Sequence, residues 1–223
     1  MTVALTLLAV PVHAATIPIL NSDFETGPNG NQPGRIFGLR DSQLATTNPG
    51  WDSYTGLSGW TKSGGGWIEH HHNRSAALNA QSGSYSVSLD GGPGRNATIS
   101  QDVTLTAGSY ILSFWYSPQS LNAATNEVAY NLGNVVSGRV TAGTNGASVG
   151  VWTQVRHRIG ILTPGTYTLT FAALGAADGV GGYIDNVELT TAVPVPAAAA
   201  GLAGALGLLG LVGIRRRAGA ARS

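Results

Sequence analysis

Strict alternation is the feature that most narrows what this chain can become. From Ser84 to Leu89 every second residue is apolar, with Tyr85, Val87 and Leu89 on one side and Ser84, Ser86 and Ser88 on the other. That is the period of a strand with one buried and one wet face. Ile99, Gln101, Val103 and Leu105 alternate in the same way with Ser100, Asp102 and Thr104. Thr106-Ala107-Gly108 then reads as a short turn into a strand on which Tyr110, Leu112, Phe114 and Tyr116 share a face, so 98–116 is expected to be a hairpin. The pattern recurs with Pro164-Gly165 as the turn and Tyr167, Leu169 and Phe171 as the inward row, and 182–190 closes the body as a last strand. Two Thr-x-Gly-x-Tyr-x-Leu-x-Phe units, Thr106–Phe114 and Thr163–Phe171, are read as equivalent hairpins of one antiparallel sandwich.

With 32 glycines and only 10% charged residues, the composition suits many strands and tight turns better than salt-bridged helices. The expected class is all-β, an antiparallel jelly-roll-like β-sandwich. The formal net charge of +1 is set by four arginines near the C-terminus; the other eight Lys/Arg face eleven Asp/Glu, so the body is mildly acidic. That excludes a basic footprint for nucleic acid. With no cysteine there is neither a disulfide framework nor a thiolate metal site.

Both ends differ from the body. Residues 1–14 combine an apolar run, Val3 to Val10, with a Val-His-Ala cleavage pattern, and read as a signal peptide without a basic start; a buried N-terminal strand is the competing reading. Residues 193–214 carry no charge and are long enough for one transmembrane helix, and Arg215, Arg216 and Arg217 follow as a membrane stop. Together they imply an exported body, 15–192, and a C-terminal segment, 193–223. The motif Val193-Pro194-Val195-Pro196-Ala197, followed by the span and the arginine cluster, resembles the PEP-CTERM class of bacterial sorting signals, of the VPxPA type. The resemblance implies an exosortase-type protease as partner, transient residence in the inner membrane, and delivery to the cell surface or extracellular matrix. A permanent single-span anchor is the alternative.

Within the body, Ile19–Gly27, Ser58–Thr61, Ser82–Gly91, Ile99–Tyr116 and Gly181–Thr190 follow the order of galactose-binding-like jelly rolls, a group that includes carbohydrate-binding modules. What that resemblance implies is a structural Ca²⁺ tying the first strand to the last, with Asp23, Glu25 and Asp185 as its carboxylates, and a polysaccharide ligand. Stacking on a sugar needs flat aromatic faces and a few directed polar groups, and the long Gly/Pro-rich region 28–66 and its flank offer Trp51, Tyr54 and Trp67 with Asp52 and Asn73. Trp60, in a Gly-Trp-Thr context, is expected to plug the core.

Two other clusters invite chemistry. On a strand, His70 and His72 would face one way and Glu69 and His71 the other, an H-x-H spacing that holds a metal if a third ligand such as His157 comes near. Gly146-Ala147-Ser148-Val149-Gly150 matches the nucleophile-elbow pattern but sits in a Gly-rich loop leading into a strand. Neither completes a catalytic constellation, so the expected function is non-catalytic polysaccharide binding on an exported protein. A purely structural surface or biofilm role competes with it, and a metal-dependent hydrolase is the weaker third.

Overall fold

The apolar rows named above, Tyr85 and Tyr167 half-buried and the rest buried, line the interior of a two-sheet structure. The computed structural model of this chain describes residues 13–28, 32–75, 78–92 and 94–193, and Ala15–Thr191 forms one compact unit. Its strands are β1 (Trp51–Tyr54), β2 (Thr61–Gly64), β3 (Trp67–His72), β4 (Tyr85–Gly91), β5 (Ala97–Leu105), β6 (Gly108–Pro118), β7 (Val128–Leu132), β8 (Val136–Val140), β9 (Thr153–Ile161), β10 (Gly165–Ala173) and β11 (Gly182–Thr191). A six-stranded sheet runs β1-β3-β4-β11-β6-β9 and a five-stranded one β2-β5-β10-β7-β8, with every pairing between these strands antiparallel. The chain is thus all-β, an antiparallel β-sandwich.

Between the sheets, Ile68, Val87, Leu89, Leu112, Phe114, Tyr116 and Ile184 meet Ile99, Val103, Leu132, Leu169 and Phe171 in one cluster. Trp60 lies in it, 5.8 Å from Phe24 and 6.0 Å from Phe171 by ring centroids, as its Gly-Trp-Thr context predicts.

The two expected hairpins are not hairpins. β5 and β6 lie in different sheets, as do β9 and β10, so Thr106-Ala107 and the Pro164 turn carry the chain across the sandwich. Each crossing is fastened by its own tyrosine: Tyr110 Oη donates to the Thr106 carbonyl at 3.0 Å and Tyr167 Oη to the Thr163 carbonyl at 2.6 Å. The repeated Thr-x-Gly-x-Tyr unit is therefore a corner that changes sheets, akin to the tyrosine corners of other sandwiches.

The wet face expected of β4 is also closed. Ser86 and Ser88 are buried to 1% and 0% exposure, because His71 on β3 and Tyr183 on β11 meet edge to face at 4.9 Å in that region. The N-terminal segment completes the sheet where β4 ends. Ile17 N–H donates to the Leu189 carbonyl and Thr191 N–H to the Ala15 carbonyl, so 15–17 lies along β11.

Candidate functional site

The register of the six-stranded sheet places Ser53, Glu69, Ser88, Tyr183 and Ser117 in one cross-strand row on the face away from the core. His71 Nε2 bonds Glu69 Oε2 at 3.0 Å. Burial, and secondarily Glu69, push the Tyr183 hydroxyl up; burial pushes Asp90, next along β4, up to about 6. Paired acid, base and phenol resemble catalytic equipment, yet all five residues of the row are at most 3% exposed, and Asp90 is fully buried. The row is thus sealed from solvent as folded, and the hydroxyls of Ser53, Ser117 and Tyr183 have no hydrogen-bond partner.

The loop after β3 covers part of the same face. Asp185 Oδ2 accepts N–H bonds from Gln81 and Ser82, Glu25 Oε1 accepts from Ser84 and Tyr85, and Trp152 Nε1 donates to the Asn79 carbonyl. Asn73 belongs to this framework: its Oδ1 accepts from Ala80 N–H and its Nδ2 donates to the Gly83 carbonyl. Asn73 is thus a loop-fixing residue with both ends of its amide committed.

The carboxylates expected to hold Ca²⁺ have the same kind of role. Glu25 and Asp185 clamp the 81–85 turn, and Asp23 Oδ1 accepts from Glu25 N–H. Among the described residues no group of three or more His, Cys, Asp or Glu side chains gathers as a metal site. As folded, Glu25 Oε1 and both oxygens of Asp185 accept from backbone amides. Asp185, fully buried, is pushed up to about 7 by that burial, against three stabilising backbone N–H bonds.

The histidine alternation is as expected: His70 pairs with Val87 on the core side while Glu69 and His71 face away. His70 Nε2 bonds the Phe24 carbonyl at 2.8 Å, and its Nδ1 lies 2.9 Å from Asp41 Oδ1. His157 instead meets the Tyr130 hydroxyl at 2.6 Å, so it is not a third ligand to the cluster. Ser148 bridges to Val151 in a turn that leads into β9 with no helix behind it, so the elbow pattern has no elbow.

Among the aromatics, Tyr54 is 2% exposed with its hydroxyl on the Leu39 carbonyl, which makes it a core residue rather than a stacking platform. Asp52 is buried and accepts N–H bonds from Ile36, Phe37 and Leu39, shaping the preceding loop. Trp51 is half-buried, stacked on His71 at 5.4 Å and met by the edge of Phe37 at 5.1 Å.

Trp67 has a different setting. Two connections that change sheets, 64–67 between β2 and β3 and the described residues between β4 and β5, run side by side, joined by Gly66 N–H to the Asn96 carbonyl at 3.1 Å. Between them lies a pocket of about 260 Å³ lined by Gly65, Gly66, Trp67, Gly91, Gly92 and Arg95. The half-buried indole lies against Gly92, whose φ is +114° and where a Cβ would stand 2.6 Å from Trp67 Cε3. Only glycine allows this approach and this backbone. Arg95 is exposed, and its stem lies over Gly65: a Cβ there would be 2.5 Å from Arg95 Cδ. A larger pocket of about 550 Å³, lined by Pro28, Gln32, Pro33, Gly34, Arg35, Tyr54, Thr55 and Gly56, offers no open aromatic face because Tyr54 is buried.

Arg95 is not among the residues that the sequence singles out. Its signal lies in the two glycine clusters, Gly64-Gly65-Gly66 before Trp67 and Gly91-Gly92-Pro93-Gly94 before Arg95. The sorting motif beyond Val193, the expected span with Arg215 to Arg217, and residues 1–12 of the expected signal peptide lie outside the described residues. Among the described residues no helix is long and apolar enough to cross a membrane.

No protein-family model and no curated protein matches the chain. Solved structures do. A cyclase from Fischerella sp. TAU is 14% identical, with 81% of this chain and 98% of that one aligned at a TM-score of 0.50. The carbohydrate-binding module TmCBM61, solved with β-1,4-galactotriose, is 23% identical over 60% of this chain and 90% of its own, at 0.49. A CBM4 structure is 14% identical over 78% of this chain and all of its own, at 0.41. At such identities the likeness concerns the fold alone.

Proposed function

We propose that this protein is a non-catalytic polysaccharide-binding module, exported to the cell surface or extracellular matrix and sorted there through its C-terminal segment by an exosortase-type system. The observation that carries the binding reading is the pocket at the sandwich rim. A tryptophan face and a guanidinium stand beside backbone cleared by four glycines, the combination of flat apolar platform and few directed polar groups that sugar recognition needs. Its size leaves room for about one sugar ring, at the small end of ligand pockets. The sealed state of the Glu69–His71–Tyr183 seam supports the non-catalytic part of the reading.

The test is retention of the chain on a panel of insoluble and gel-embedded polysaccharides, with Trp67→Ala compared with wild type. Binding that falls at least tenfold in the variant, with its fold retained by circular dichroism, is the expected result. Retention on none of the polymers, by a protein that instead associates with itself, would favour a purely structural surface role.

A further inference from the structure

We infer that the Trp67–Arg95 pocket selects an acidic sugar, a pyranose whose carboxylate pairs with Arg95 while its ring stacks on Trp67. The inference rests on the glycan reading and narrows it to one chemical class. Arg95 is a cation that holds no other part of the fold in place, since among the described residues it makes no hydrogen bond and no ion pair. A guanidinium serving only as surface charge has no need of a cleared floor. Here Gly65 removes a side chain from beneath it, and its Nη1 lies 3.2 Å from where a Gly65 Cβ would be.

A second cation flanks the same turn. Lys62, the only lysine in the chain, donates from Nζ to the Gly64 carbonyl at 3.1 Å, which brings positive charge to the outer side of the 64–66 turn. Each neighbouring carboxylate has one oxygen engaged. Glu69 bonds His71, Asp90 Oδ2 accepts from Asp178 N–H at 3.3 Å, and Asp178 Oδ1 accepts from Val180 N–H at 3.1 Å. An anion entering the pocket therefore meets Arg95 in its lining, with Lys62 on the adjoining turn, while Asp90 Oδ1, which has no hydrogen-bond partner, is fully buried and outside that lining.

Arginine's planar fork matches a carboxylate in two parallel bonds, which a sugar hydroxyl cannot reproduce. The geometry also separates recognition from general charge attraction. Over 15–192 the chain carries more Asp/Glu than Lys/Arg, so the field of the body does not favour polyanions, and the charge of the C-terminal arginines is common to wild type and Arg95→Gln.

The experiment titrates the full-length chain with polygalacturonate, the same polymer methyl-esterified, neutral galactan and dextran sulfate, for wild type and Arg95→Gln. Arg95 is exposed, so its replacement leaves the fold intact. Wild type is expected to prefer polygalacturonate to its methyl ester by roughly ten- to hundredfold, the worth of a charge-assisted pair, and Arg95→Gln to erase that preference while keeping weak binding of the neutral polymers. Equal binding of the acid and its ester, or a preference that survives Arg95→Gln, overturns the acidic-sugar assignment while leaving the glycan reading in place. Dextran sulfate bound as tightly as polygalacturonate also overturns the carboxylate assignment. Binding of no polymer at all overturns the glycan reading itself.

Discussion

Gly65 and Gly66 are neighbours in sequence, yet alanine should cost very different amounts at the two. Neither has a positive φ, so the difference is one of space alone. A Cβ on Gly66 would run into the Arg95 carbonyl oxygen and stand 2.6 Å from the Asn96 carbonyl carbon and 2.7 Å from Ala97 N. All three are backbone atoms of the facing connection and cannot swing aside. Restoring ordinary contact distance means parting the two connections by about 1 Å, which stretches the 3.1 Å Gly66–Asn96 hydrogen bond beyond its useful range. Overpacking strain of about 1–3 kcal/mol and a lost bond of about 1 kcal/mol together predict roughly 2–4 kcal/mol for Gly66→Ala. A Cβ on Gly65 meets only Arg95 Cδ, Cγ and Nη1, the far part of a flexible exposed side chain. That arginine can move, and the entropy removed from the unfolded chain offsets the remainder, so Gly65→Ala should lie within about 1 kcal/mol of wild type. Urea unfolding of both variants followed by tryptophan fluorescence, with m unchanged, reads the difference directly. Equal costs at the two positions, or a Gly66→Ala cost below about 1 kcal/mol, would refute the close apposition of the connections on which the pocket depends.

Other outcomes follow from the same structure. Tyr110→Phe should destabilise by about 1–2 kcal/mol, since it removes a bond from a hydroxyl on a 3% exposed residue, and Tyr167→Phe by less because that ring is half-buried; equal losses in denaturant melts would argue against burial as the cause. Asp90, with its pKa raised to about 6 by burial, keeps its proton in the folded state where the unfolded chain has lost it. Its contribution is therefore fully present below about pH 4 and lost as pH rises through about 6, by at most roughly 3 kcal/mol, and the stability of wild type relative to Asp90→Asn should fall over that window. A difference that rises with pH there would reverse the assignment. Because backbone amides already occupy Glu25 Oε1 and both oxygens of Asp185, chelation with EDTA is expected to leave the melting temperature unchanged; a clear drop, restored by added calcium, would support the calcium link between the first and last strands.

Much of the core was legible because its determinants are local. Period-two alternation names the residues that share a face, and so Tyr110, Leu112, Phe114 and Tyr116, with Leu169 and Phe171, could be assigned to one buried layer before any strand was placed. The same alternation carries no information about which strand lies alongside. That is why Thr106-Ala107-Gly108 reads equally well as a hairpin turn and as a crossing between sheets, the choice resting on pairings such as Gly108 with Ile161, tens of residues away.

The serine face of β4 shows the second limit. Serine opposite apolar residues signals water on local grounds, but His71 and Tyr183, brought in by β3 and β11, seal it. The candidate site shows the third. Trp67 could be named from its type and its loop-rich surroundings, whereas Arg95 became its partner only through two glycine-rich connections laid side by side. Local sequence determined which side chains were apolar, where glycine freed the backbone, and the class of the fold. Long-range strand pairing decided what those freed positions face, because backbone hydrogen bonding and burial between distant segments bring together residues that no local period relates.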